Sequence, residues 1–179
     1  MIAPMAISRD EAEHVLCAQF HVTGFRPGQW EAVSAALAGK DATVFLPTGA
    51  GKSMCYILPA LLSPGVVVVI SPLLSLIEDQ VTTLQARGVA AGSISTARSK
   101  EENRATLAAL KESPPSLRLL YLSPEHACNS RMLPELTALA DRGVLTLLAV
   151  DEAHCVCQAC ARFSSDCQPR LRPVTAHCP

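Results

Sequence analysis
Apolar residues fall in two rhythms along this chain. Between residues 42 and 151, short unbroken apolar runs alternate with longer stretches whose apolar residues recur every three or four positions. The runs ATVFL (42–46), VVVVIS (66–71), LRLLYL (117–122) and LTLLAV (145–150) predict strands. Runs of this length without polar alternation suit a parallel sheet buried on both faces. A weaker strand, AGSIS, is predicted at 91–95. Helical spacing predicts helices at 52–62, 74–87, 100–111 and 131–142, with two more at 9–20 and 28–38 before the first strand. Strand and helix in alternation predict an α/β domain, mostly parallel, with helices on both faces of the sheet. After residue 158 the period is lost. The domain is predicted to cover residues 1–158, and the Cys-, Arg- and Pro-rich stretch 159–179 to be a divergent, disordered tail.

Composition narrows the setting. A chain of 179 residues can bury one sizeable core. With 49% hydrophobic and 17% charged residues it reads as globular. The net charge of -1 provides no overall basic field, so a nucleic-acid partner has to come from local contacts. The N-terminus has no basic region followed by an apolar stretch, and VVVVI (66–70) is too short to span a bilayer. A soluble, intracellular protein without a membrane partner is expected. Of the eight cysteines, Cys17, Cys55 and Cys128 lie in periodic segments and read as buried thiols. Cys155, Cys157, Cys160, Cys167 and Cys178 crowd the tail. Without a secretory signal, a disulfide framework is not expected.

Two motifs carry chemistry. LPTGAGKS (46–53) lies where a strand should end and a helix begin. Thr48, Gly49, Ala50 and Gly51 let backbone N–H groups converge on phosphate oxygens at a helix N-terminus. Lys52 then reaches the β- and γ-phosphates, and Ser53 is a ligand for Mg²⁺. The full phosphate-loop pattern has a glycine where Leu46 stands, so the match is to the T-G-x-G-K-S variant. A glycine-rich turn with an incidental lysine has the same composition; the flanking strand and helix favour the phosphate loop. In LLAVDEAH (147–154) an apolar strand delivers Asp151 at its C-terminal end, where ligands bind in open α/β sheets. Asp151 is expected to hold Mg²⁺ through water, and Glu152 to polarise an attacking water. These residues alone predict a nucleotide triphosphatase that uses Mg²⁺.

FRPGQ (25–29), PTGAGKS, VVISPLLSLIEDQV, LLYLSPE and LLAVDEAHC occur in the order seen in the RecQ family of DNA helicases, and the chain resembles that family from residue 20 to about 158. The resemblance implies a RecA-like phosphate-loop domain of a 3′–5′ DNA-unwinding ATPase acting in recombination and repair, with ATP and Mg²⁺ as cofactors. It assigns Arg26 and Gln29 to adenine recognition, where a Gln amide can donate and accept together. An aromatic residue that often stacks on the base is replaced by Val22, with Phe20 and His21 nearby. Ser71 and Pro72 match a segment that touches the DNA backbone; Ser123, Pro124 and Glu125 match the next. Ser71 and a helix N-terminus can donate to phosphate without positive charge. The implied partner is single-stranded or forked DNA; no protein partner is implied. His154 matches the residue coupling nucleotide state to DNA contacts. The family implies a nuclear location in a eukaryote and a cytoplasmic one in a bacterium.

After Gln158 the resemblance ends. The aromatic-rich loop, the Ser-Ala-Thr-like motif and the second ATPase lobe with its arginine finger are not found, and the single tryptophan is Trp30. The expectation is an enzyme cut short, inactive on its own. Two other readings remain: a non-catalytic ATP-binding regulatory or interaction protein, and a zinc module in the tail. His154, Cys157, Cys160, Cys167, His177 and Cys178 offer soft ligands, but after the C-x-x-C pair their spacing is irregular, so zinc is not expected.

Overall fold
The computed structural model describes residues 7–152 and the backbone of residues 173–177. Two helices, α1 (Arg9–Phe20) and α2 (Gln29–Leu37), precede the sheet. There follow β1 (Thr43–Phe45), α3 (Met54–Leu62), β2 (Val66–Ile70), α4 (Leu74–Ala86), β3 (Ala91–Ile94) and α5 (Lys100–Lys111). The rest are β4 (Leu119–Leu122), α6 (Pro124–Ala127), α7 (Met132–Asp141), β5 (Leu145–Val150) and β6 (Pro173–His177). The six strands form one sheet in the order β1-β6-β5-β2-β4-β3, parallel throughout. No described helix is long and apolar enough to cross a membrane.

The unbroken valine run of β2 follows from its position. Val67 and Val69 join a core with Ala32, Ile57 and Ile77, from α2, α3 and α4. Val66, Val68 and Ile70 pack on the other face with Leu110, Met132 and Leu136, from α5 and α7. A strand covered on both faces has no position left for a polar residue. A third cluster, including Leu16, Val33 and Leu58, seats α1 and α2 on α3.

Every predicted strand and helix forms, with ends shifted by up to two residues. Two elements were not predicted. The helix α6 is four residues long, one turn capped by Ser123 Oγ. The strand β6 falls within the stretch 159–179 expected to be a tail, the rest of which lies outside the described residues. Residues 173–177 lie between β1 and β5, with Thr43 opposite Thr175 and Ala149 opposite Val174. Its five residues show no apolar run, so only pairing with two neighbours reveals the strand. Pro173 is tolerated because it is the first residue, where a missing N–H does least harm.

Candidate functional site
All strands point the same way, so their C-terminal ends share one edge of the sheet. β1 runs into the loop 46–53 and then α3. The helix begins at Met54, so Lys52 and Ser53 form a tight turn before it, with Met54 N–H donating to Gly51 O at 3.1 Å. Gly49 and Gly51 have φ of 78° and 80°, a left-handed backbone that favours glycine. At Gly51 a Cβ would sit 2.7 Å from Gln29 Nε2, so this position is closed to side chains twice over.

The close neighbour at Gly51 shows what Gln29 does. Its side chain is 3% exposed. The amide donates to Ala50 O at 3.2 Å and Gly51 O at 3.0 Å, while Oε1 accepts from Arg26 N–H at 2.8 Å. The Arg26 guanidinium donates to Gly49 O. Arg26 and Gln29 are thus tied to the phosphate loop itself. Lys52 Nζ donates to Leu46 O at 3.3 Å. Of the aromatic side chains near Val22, Phe20 carries the Arg87 guanidinium 5.3 Å above its ring, and Phe25 packs on Trp30. Val22 is 42% exposed.

β5 ends at Val150, and the N–H of the next residue, Asp151, donates to Ile70 O at 2.8 Å and extends the sheet by one rung. Its carboxylate is buried, 6% exposed. Glu152 N–H donates to Asp151 Oδ1 at 3.1 Å, and Tyr56 O–H to Oδ2 at 3.4 Å. Burial, then the neighbouring Glu152 charge, pushes the Asp151 pKa up; the Glu152 N–H, Lys52 and Tyr56 oppose the shift. Among the described residues Asp151 has no ion-pair partner. A buried carboxylate of raised pKa beside Lys52 fits a divalent cation, because cation binding compensates its lost hydration. Glu152 has φ of 52°, a strained value for a side-chain-bearing residue and a mark of functional turns.

The same edge holds the segments matched to DNA contacts. Ile70, Leu122 and Ile94 lie level across β2, β4 and β3, so the next residues, Ser71, Ser123 and Ser95, form a row. Ser95 carried no sequence signal; only the register reveals it. Ser71 is 2% exposed and its N–H is used by Leu122 O at 3.0 Å, while its Oγ has no partner among the described residues. Ser123 Oγ is shared with His126. Among the described residues no side chain caps the N-terminus of α4, which leaves its N–H groups for a ligand. Pro72 is half-buried and Pro124 buried. Glu125 is exposed, and hydrogen bonds from its own backbone and from Ser123 hold its carboxyl below the usual range. His154 and the side chains of the tail cysteines and His177 lie outside the described residues.

Sequence and structure comparisons identify the family of the chain. The profile of the DEAD/DEAH box helicase family matches residues 26–176, which reaches into β6. Similar proteins include rat ATP-dependent DNA helicase Q5, 43% identical over 156 residues (86% of this chain, 16% of that protein). Rat ATP-dependent DNA helicase Q1 is 38% identical over 179 residues (96% and 28%). The RecQ-like DNA helicase BLM of Xenopus laevis is 41% identical over 141 residues (78% and 10%). The chain therefore spans no more than about a quarter to a third of these relatives. Among solved structures, the DUF1998 helicase MrfA bound to DNA and AMPPNP superposes with a TM-score of 0.71 at 20% identity, over 98% of this chain and 26% of that one. The UvsW helicase of bacteriophage T4 gives 0.64 at 14% identity, over 98% and 61%. These likenesses show a RecA-like helicase fold. With a family model that matches most of its length, the chain belongs to the DEAD/DEAH box helicase family, and the similar proteins named above are RecQ-family helicases.

Proposed function
We propose that this chain is the nucleotide-binding lobe of a RecQ-type, ATP-dependent 3′–5′ DNA helicase acting in recombination and repair. The observation that carries this reading is the convergence of loop 46–53 and buried Asp151 at the C-terminal edge of one parallel sheet. Backbone N–H groups after Gly49 cradle the phosphates, and Lys52 leaves Leu46 O to pair with them. Ser53 and Asp151 would hold magnesium, which would neutralise charge on the phosphates. Glu152, turned by its left-handed backbone, polarises the attacking water. Arg26 and Gln29, bonded to the phosphate loop, link adenine recognition to the loop's shape.

The DNA partner, single-stranded or forked, is read through its backbone. Ser71 Oγ, Ser123 Oγ and the open N-terminus of α4 are the donors, which fits a chain of net charge -1. Lys52, Ser53, Asp151 and Glu152 act on the γ-phosphate from one side only, and an arginine finger is worth about 10³–10⁵ in rate. The 179-residue chain alone is therefore expected to bind nucleotide without unwinding DNA.

The test is a calorimetric titration with ATP and Mg²⁺. A charge-assisted bond is worth roughly 1.5–3 kcal/mol, so Lys52→Ala should weaken binding about tenfold or more. Equal affinity in the variant would remove Lys52 from the site. Strand separation by the 179-residue chain, abolished by Glu152→Gln, would show that one lobe suffices.

A further inference from the structure
The hydroxyl of Tyr56 has no part in the function proposed above, yet three working segments meet at it. Tyr56 stands in the first turn of α3, directly after the phosphate loop, and is 3% exposed. Its oxygen lies 3.4 Å from Asp151 Oδ2 at the end of β5 and 3.1 Å from Gln80 Oε1 on α4. Its buried neighbours in α3, Cys55, Ile57, Leu58, Pro59 and Ala60, offer no side-chain oxygen. The ring meets Tyr121 edge-on, with centroids 6.4 Å apart, a contact that phenylalanine would keep, and the buried Tyr121 hydroxyl is a further polar neighbour of the Tyr56 oxygen. Packing therefore accounts for the ring and leaves the hydroxyl unexplained.

A phenol carries one hydrogen, so Gln80 and Asp151 compete for it. When Asp151 receives it, both carboxylate oxygens are held: Oδ1 by Glu152 N–H and Oδ2 by Tyr56. We infer that Tyr56 is a positioning residue, fixing the orientation in which the Asp151 carboxylate meets its divalent cation, and that Gln80 makes this grip sensitive to the position of α4. Helix α4 also carries the open N-terminus next to Ser71, so the shared hydrogen links the nucleotide edge to the helix assigned to DNA. The inference rests on the reading of Asp151 as a cation ligand.

The experiment measures ATP affinity of the chain twice, with Mg²⁺ and with EDTA, and takes the ratio. Wild type should prefer the magnesium condition. Tyr56→Phe should lower the ratio about three- to tenfold, the effect of losing one ordinary hydrogen bond, with the EDTA affinity within about twofold of wild type. Gln80→Ala, which removes the competing acceptor, should keep or raise the ratio. An unchanged ratio in Tyr56→Phe, or an equal fall under both conditions, would overturn the inference, as would a Gln80→Ala chain that loses as much as Tyr56→Phe. A wild-type chain without magnesium preference would overturn the assignment of Asp151 and this inference with it.

Discussion
Gly51 has two independent reasons to be glycine, and they make different demands on a replacement. Its φ of 80° disfavours any Cβ, and the space a Cβ needs is held by Gln29. Gly51→Ala must therefore strain the turn and break the amide bonds of Gln29, a loss of about 1–3 kcal/mol. In a chain of this size each 1 kcal/mol shifts the melting temperature by roughly 2–4 °C, so thermal unfolding checks it. An unshifted midpoint would mean that the loop yields more readily than its geometry implies. Asp151 predicts the opposite sign. Its ionised form is buried without an ion-pair partner among the described residues, so Asp151→Asn should raise the midpoint of the nucleotide-free chain at pH 7 by a few degrees. The same variant should lose its response to Mg²⁺; a lower midpoint would show that the charge is compensated. The places of Lys52 after one strand, and of Asp151 and Glu152 after another, were readable from sequence because each motif adjoins an apolar run. The tie between Gln29 and the loop was not, because its acceptors are backbone carbonyls 21 and 22 residues away. A carbonyl has no residue identity to read.

Elements declared themselves in proportion to their length and the clarity of their ends. α1 and α5 open on capping boxes, Ser8 with Glu11 and Ser99 with Glu102, each spelled S-x-x-E in the sequence. Ser99→Ala should cost about 1 kcal/mol, read as earlier loss of helical signal on heating. Glu102 adds a pH dependence. Hydrogen bonds from Ser99 hold its carboxyl below the usual 4.5. A group whose pKa falls on folding contributes stability above its unfolded value and loses it as pH drops through the folded one. Glu102→Gln should thus flatten the acid side of the stability profile, measured between about pH 5 and 3; an unchanged profile would remove the box from the account. By contrast, one turn of helix at α6 and five residues at β6 are too short to establish a period. For β6 the deciding information is which strands lie alongside.

Across the whole molecule, β6 connects the N-terminal part of the site to the rest. Among the described strands β1 pairs only with β6, and β1 is the strand that holds the phosphate loop. Deleting residues 173–179 should therefore broaden thermal unfolding and weaken nucleotide binding about tenfold or more, because the loop loses the rung it starts from. Full affinity in the truncated chain would show that α2 and α3 hold β1 by packing alone. The two halves of the chemistry, Lys52 after β1 and Asp151 after β5, stand on strands that never touch; the intervening one sets their separation. This order has a consequence during synthesis. A chain emerging from its N-terminus can complete β2 to β5 early, but Thr43 must wait for Thr175. Until then β1 and β5 present raw edges, and closing that long loop is the slow entropic step. The site that binds the nucleotide is completed after the other described strands of this sheet, so nucleotide binding reports a finished sheet, and nascent chains are most exposed to mispairing just before it forms.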